Sequence, residues 1–146
     1  LPLAKVLDIV ARVADALDYA HRQKIIHRDI KPGNIIFNPD NGEIKITDFG
    51  IAKISDDSRT RTGSVMGSPL YMSPEQLKGQ KVTGATDTYS LGITLYKLVC
   101  GETPYQGDTL ANLTYQILNK RPRSVREFNP ELPNGCRLYK SPSPRD

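Results

Sequence analysis

The chain has 146 residues, 38% of them hydrophobic and 25% charged, enough for one globular domain with a real core. A net charge of +4 is modest, and the cluster Lys120, Arg121, Arg123 and Arg126 reads as a solvated loop, because nucleic-acid binding calls for aromatic interleaving or a longer basic stripe. Cys100 and Cys136 have no metal or redox spacing, and no apolar run approaches the roughly 20 residues of a membrane span or forms a signal peptide, so the expected setting is reducing cytoplasm.

Leu3, Val6, Leu7, Val10, Val13, Ala14, Leu17 and Ala20 recur at helical spacing, with Lys5, Asp8, Arg12, Asp15 and Asp18 on the other side. The spacing predicts a long amphipathic helix from about Pro2 to Gln23, followed by a short strand at Ile25 and Ile26.

Next comes His27 to Gly50, HRDIKPGNIIFNPDNGEIKITDFG, which predicts a polar loop and then a β-hairpin. Its strands are Ile35 to Phe37 and Glu43 to Thr47, joined by a turn over Asn38 to Gly42. Antiparallel pairing is expected to bring Asn34, before the first strand, beside Asp48, after the second. An amide oxygen and a carboxylate are hard ligands, suited to a Mg²⁺ ion that keeps waters and shares its shell with phosphates. Asp29 and Lys31 lie just upstream, with Pro32 and Gly33 expected to prevent the loop from closing into a helix. Taken singly, these residues read as caps, turn residues and a packed histidine; taken together they offer a base, a cation and two metal ligands.

Beyond Gly50, Ile51 to Ile54 reads as a short strand and Ser55 to Ser64 as a polar surface loop. A mostly apolar, buried helix is predicted from Ala85 to about Cys100, with Leu91, Leu95, Leu98 and Val99 apolar and Gly101 as its stop, and a shorter helix over Leu110 to Leu118. After Pro133 periodicity ends, and residues 134–146 read as a non-native tail.

His27-Arg28-Asp29, Lys31, Asn34 and Asp48-Phe49-Gly50 match protein-kinase signatures in order and spacing. The chain thus resembles the C-terminal lobe of a eukaryotic-type (Hanks-type) serine/threonine protein kinase, and its compact wording from Ala16 to Asn34 looks most like bacterial members. The resemblance implies an α+β fold, mainly α-helical with a small β-hairpin at the active site, as a partial kinase domain over residues 1–133 without the N-terminal lobe. It implies that Asp29 is the catalytic base, that Lys31 neutralises the transferring phosphoryl group, and that Asn34 and Asp48 hold Mg²⁺ on ATP.

His27, Arg28, Phe49, Gly50, Glu75 and Asp87 would support these groups, with Asp87 tying down the catalytic loop and Glu75 pairing with an arginine outside this chain. The segment from Asp48 to Glu75 would be the activation segment, with Thr60 and Thr62 as preferred phosphoacceptors ahead of Ser64 and Ser58, and Arg28 as the phosphate's partner. Ser68 stands where the family has Thr, and its hydroxyl is expected to bridge Asp29 and Lys31. Ser73 replaces the usual Ala of the Ala-Pro-Glu signature.

The implied activity is ATP-dependent transfer to Ser or Thr of protein substrates, with activation in trans by a second copy as a family expectation. A Gly-rich loop, a strand lysine and its partner glutamate are absent from these 146 residues, so the chain alone is expected to be inactive. The alternative is a pseudokinase or scaffold that binds without chemistry, against which stands the retention of Asp29, Lys31, Asn34 and Asp48.

Overall fold

The computed structural model describes residues 1–49 and 68–133. Helix α1 (Leu3–Arg22) leads through a 3₁₀ turn (Pro32–Asn34) into strands β1 (Ile35–Phe37) and β2 (Ile44–Ile46). A second 3₁₀ turn (Ser68–Tyr71) precedes α2 (Pro74–Leu77), α3 (Gly84–Cys100), α4 (Leu110–Asn119) and α5 (Val125–Phe128). The described residues are therefore mainly helical around one antiparallel hairpin. Gly50, the strand expected at Ile51 to Ile54, the acceptors Ser58, Thr60, Thr62 and Ser64, and the tail lie outside the described residues.

Helix α1 buries Val6, Ile9, Val13, Leu17 and Ala20, a narrower stripe than the sequence pattern suggests, and leaves Leu7 and Ala14 exposed. Ile9, Val13 and Leu17 join Ile30 and Leu91 in the main core, with Ile35, Phe37, Ile44 and Ile46 packed against it. Each fully buried aliphatic side chain contributes roughly 1.5–3 kcal/mol. A lone hairpin is marginal in water, so packing on α1 is what secures these two strands.

Helix α1 ends in a Schellman motif, with Lys24 in the left-handed region (φ 61°), Ile25 N–H bonded to Ala20 O and Lys24 N–H bonded to His21 O. The expected strand at Ile25 and Ile26 does not form: the described sheet has two strands only, and Ile25 is exposed. The reversal at Lys24 delivers the chain directly into the loop instead. At the hairpin's far end, Asn38 Oδ1 accepts from Asp40 N–H and Asn41 Oδ1 from Glu43 N–H, and Arg12 of α1 donates to Gly42 O at 2.7 Å.

Helix α3 begins with a capping box between Thr83 and Thr86 and stops at Gly101, which is left-handed (φ 81°). Its buried face is more polar than the sequence pattern suggests: Thr86, Asp87, Ser90, Leu91, Ile93, Thr94 and Tyr96 are buried, whereas Leu95, Leu98 and Val99 are half-buried. The polar members are retained because each has a partner, as in Ser90 Oγ donating to Tyr71 O at 2.7 Å.

Burial pushes the Tyr96 phenol up to about 12, so it stays protonated and donates to Arg123 O at 2.9 Å, seating α5 on α3. A second core of Tyr105, Leu113 and Ile117 sits under α2 and α4, packed against Leu70, Leu77 and Tyr89.

Candidate active site

The site is built where α1, the hairpin and α3 meet. Asp87, in the first turn of α3, is fully buried. Its Oδ2 accepts from His27 N–H at 2.8 Å and its Oδ1 from Arg28 N–H at 2.8 Å. His21 Nε2, near the end of α1, donates to Oδ2 at 2.8 Å. One carboxylate thus pins the loop entrance to two helices. Gly84 permits this approach, since a Cβ there would lie 2.8 Å from the His21 ring.

His27 is fully buried, and its two ring nitrogens have distinct work. Asp29 N–H donates to Nδ1 at 3.1 Å, so the ring proton sits on Nε2, which donates to Thr47 O at 2.8 Å. Its ring also packs on Phe49, centroids 4.5 Å apart. His27 therefore couples the loop to the end of β2 and leaves proton transfer to others.

Arg28 is held in the left-handed region (φ 73°), which is uncommon for a long side chain and persists only where the surroundings impose it. Both ends of the residue are tied: its N–H to Asp87 and its carbonyl to Gln76 Nε2 at 2.9 Å. Next in the chain, Asp29 is only 9% exposed. Asn34 Nδ2 donates to Asp29 O at 2.8 Å and to Asp29 Oδ2 at 3.1 Å, and Lys31 Nζ lies 3.4 Å from the same oxygen. Lys31 Nζ also donates to Ser68 Oγ at 2.7 Å, linking the loop to the segment before α2.

Pro32 and Gly33 do not keep the loop open. They form a single 3₁₀ turn, closed by Asn34 N–H to Lys31 O at 3.0 Å, which proline tolerates in a first turn. The hairpin register also differs from expectation by one residue: Ile35 pairs with Ile46, so Asn34 faces Thr47, whose N–H donates to Asn34 O at 2.9 Å. The second strand ends at Ile46 rather than Thr47, which shifts the partner. Asp48 follows one position on, exposed and left-handed (φ 55°), a conformation that Asp tolerates better than most residues.

The donor set fits Mg²⁺. Asn34 turns its amide nitrogen to Asp29, which leaves its amide oxygen as the ligand atom, and Asp48 offers an exposed carboxylate. Among the described residues no three His, Cys, Asp or Glu side chains cluster as a cage, so a cation here would complete its shell with waters and phosphate oxygens.

Glu75 finds a partner inside the chain, accepting from Thr86 Oγ1 at 2.7 Å. His21 and Gln76 were not legible as site residues. Ser73-Pro74-Glu75-Gln76 is a readable capping box, and the structure contains it, but nothing local signals that Gln76 also reaches Arg28.

A helical lobe that seats an Asp-x-Lys-Pro-x-Asn loop against a small hairpin defines the C-terminal lobe of a protein kinase. The chain belongs to that family, whose protein kinase domain matches residues 1–141. It is similar to a probable serine/threonine-protein kinase of Clostridium perfringens, 44% identical over 135 residues, covering 92% of this chain and 20% of that protein. It is also similar to the serine/threonine-protein kinase PrkC of Bacillus subtilis, 41% identical over 128 residues, covering 87% of this chain and 20% of that protein. For PknA of Corynebacterium glutamicum the identity is 44% over 123 residues, with 84% of this chain and 26% of that protein covered. The chain thus spans about a fifth to a quarter of the length of these curated relatives. No helix among the described residues is long and apolar enough to cross a membrane.

Proposed function

We propose that the whole protein is a non-specific serine/threonine protein kinase, which transfers the γ-phosphoryl group of ATP to Ser or Thr of protein substrates. Asp29 accepts the proton of the substrate hydroxyl as that oxygen attacks phosphorus. Lys31 faces the transferring phosphoryl group and offsets its charge, while Asn34 and Asp48 hold Mg²⁺. When bound, the cation neutralises phosphate oxygens and orients them. His27, Arg28, Phe49, Gly50, Glu75 and Asp87 are structural supports, and Ser68 positions the substrate segment through Lys31.

The observation that carries this reading is the direct polar linkage of Asp29, Lys31 and Asn34, with Lys31 also bonded to Ser68. Catalysis of phosphoryl transfer is mostly positioning and charge stabilisation, and these contacts supply both before substrate arrives.

The test is phosphate transfer from labelled ATP with Mg²⁺ to a general protein substrate, followed by phosphoamino-acid analysis. Full-length protein is expected to label Ser and Thr, and the isolated 146-residue chain, which holds no Gly-rich loop or strand lysine, to give only background. Nucleotide or partner binding by the full-length protein without any transfer would favour the scaffold alternative. Robust transfer by the isolated chain would overturn the claim that it is incomplete.

Thr60 and Thr62 are proposed to accept activating phosphate that pairs with Arg28, introduced in trans by a second copy. One charge-assisted contact of about 1.5 kcal/mol corresponds to roughly tenfold in activity. Thr60→Ala combined with Thr62→Ala is expected to lower full-length activity by about that factor and to reduce autophosphorylation. Unchanged values for both would remove these residues from the scheme.

A further inference from the structure

Gln76 is the third residue of α2, and its carboxamide is used at both ends. Its Oε1 accepts Ser73 N–H at 3.0 Å, completing the capping box at the start of α2. Its Nε2 donates to the carbonyl of Arg28 at 2.9 Å, across 48 residues of sequence. The amide orientation follows from its partners: reversing it would set NH₂ against the Ser73 N–H and an oxygen against the Arg28 carbonyl.

The capping bond is local and ordinary. The bond to Arg28 is neither. It holds the carbonyl of a left-handed residue whose N–H is already bound to buried Asp87, and the next residue is Asp29. With both sides of Arg28 tied, the direction in which the chain leaves it toward Asp29 is set jointly by α3 and by α2. Ser73 is fully buried, so the α2 entrance is itself an anchored point rather than a loose end.

We propose that Gln76 is a positioning residue, whose clamp on the Arg28 carbonyl makes the placement of Asp29 depend on the seating of α2. This rests on the kinase reading, since it assigns Gln76 a role through Asp29. In that role the clamp transmits the state of the substrate-side segment, Ser68 to Glu75, to the loop that carries the base.

The two halves of the amide can be separated by mutation. Gln76→Glu keeps an oxygen for Ser73 N–H, forming the standard Ser-x-x-Glu box, but has no donor for Arg28. Gln76→Met has similar length and loses both bonds. In the full-length protein, Gln76→Glu is expected to retain the wild-type melting temperature and ATP KM while kcat falls roughly tenfold. Backbone amide exchange over residues 27–31 should rise at least about threefold in Gln76→Glu. Gln76→Met should show the same kcat loss with a lower melting temperature.

A purely capping role predicts that Gln76→Glu matches wild type in kcat and in exchange while only Gln76→Met suffers, and that pattern would overturn the proposal. If the full-length protein transfers no phosphate yet Gln76→Glu still loosens residues 27–31, the clamp stands and the kinase reading falls. If the wild type transfers phosphate and Gln76→Glu is indistinguishable from it, the clamp falls and the kinase reading stands.

Discussion

Asp29→Asn in the full-length protein is expected to lower phosphoryl transfer by roughly 10²- to 10⁴-fold, the usual contribution of a positioned general base, while nucleotide affinity changes by no more than about twofold. The substitution preserves size and the backbone carbonyl that receives Asn34 Nδ2, so the 3₁₀ turn and the hairpin have no reason to move. What it removes is an oxygen able to take a proton and the negative charge 3.4 Å from Lys31 Nζ. The proposed cation ligands, Asn34 and Asp48, remain. Transfer rates measured with saturating ATP, alongside binding of a non-hydrolysable analogue, separate the two effects. A variant within tenfold of wild type would sink the assignment of Asp29 as base. Equal loss of nucleotide binding and of rate would place Asp29 in binding instead.

Asp87→Ala is expected to cost about 3–5 kcal/mol of stability, the range for removing one member of a buried charged network. The change strands the buried N–H of His27 and deprives the part-buried Arg28 N–H and His21 Nε2 of their acceptor. Each buried donor left unpaired costs about 1–3 kcal/mol. Asp87→Asn keeps one oxygen acceptor and should lose roughly half as much. Chemical denaturation followed by circular dichroism measures both. A loss below about 1 kcal/mol for Asp87→Ala would show that the loop entrance is held by something other than this carboxylate.

The two experiments probe different parts of one arrangement. In the proposed scheme Asp29 is the group that acts, and Asp87, bonded to the His27 and Arg28 N–H groups, keeps the preceding residues in place. Gln76 closes the same frame from the opposite side of Arg28. In phosphoryl transfer, where the protein supplies geometry and charge more than covalent chemistry, the supports that hold the acting residues bear on the rate.

Much of the architecture was legible because its causes are local. The three-and-four spacing from Leu3 to Ala20 produces α1, Gly101 stops α3 because only a left-handed residue ends it there, and Asn38 to Gly42 turn the hairpin through their own side chains. The motif order from His27 to Asp48 likewise identified the family that the protein kinase domain match establishes. Periodicity was less reliable where residues are buried for their partners rather than for their oiliness. Asp87, Ser90 and Thr94 line the inner face of α3 while Leu95, Leu98 and Val99 are half-buried, an inversion that hydrophobicity alone points the wrong way on.

The sequence by itself determined helices α1, α3 and α4, the turn and the set of residue types gathered between His27 and Asp48, since these depend on neighbours within a few positions, whereas the one-turn helices α2 and α5 were not read from it. Only the tertiary structure decided that Asn34 faces Thr47, that Ile25 and Ile26 make no strand, that Glu75 bonds Thr86, and that His21 backs the Asp87 carboxylate while Gln76 holds the Arg28 carbonyl before Asp29. The reason is separation: the bonds from Asp87 to His27 and from Gln76 to Arg28 span 60 and 48 residues, and a contact between such distant positions is set by how whole helices pack, which no local pattern encodes.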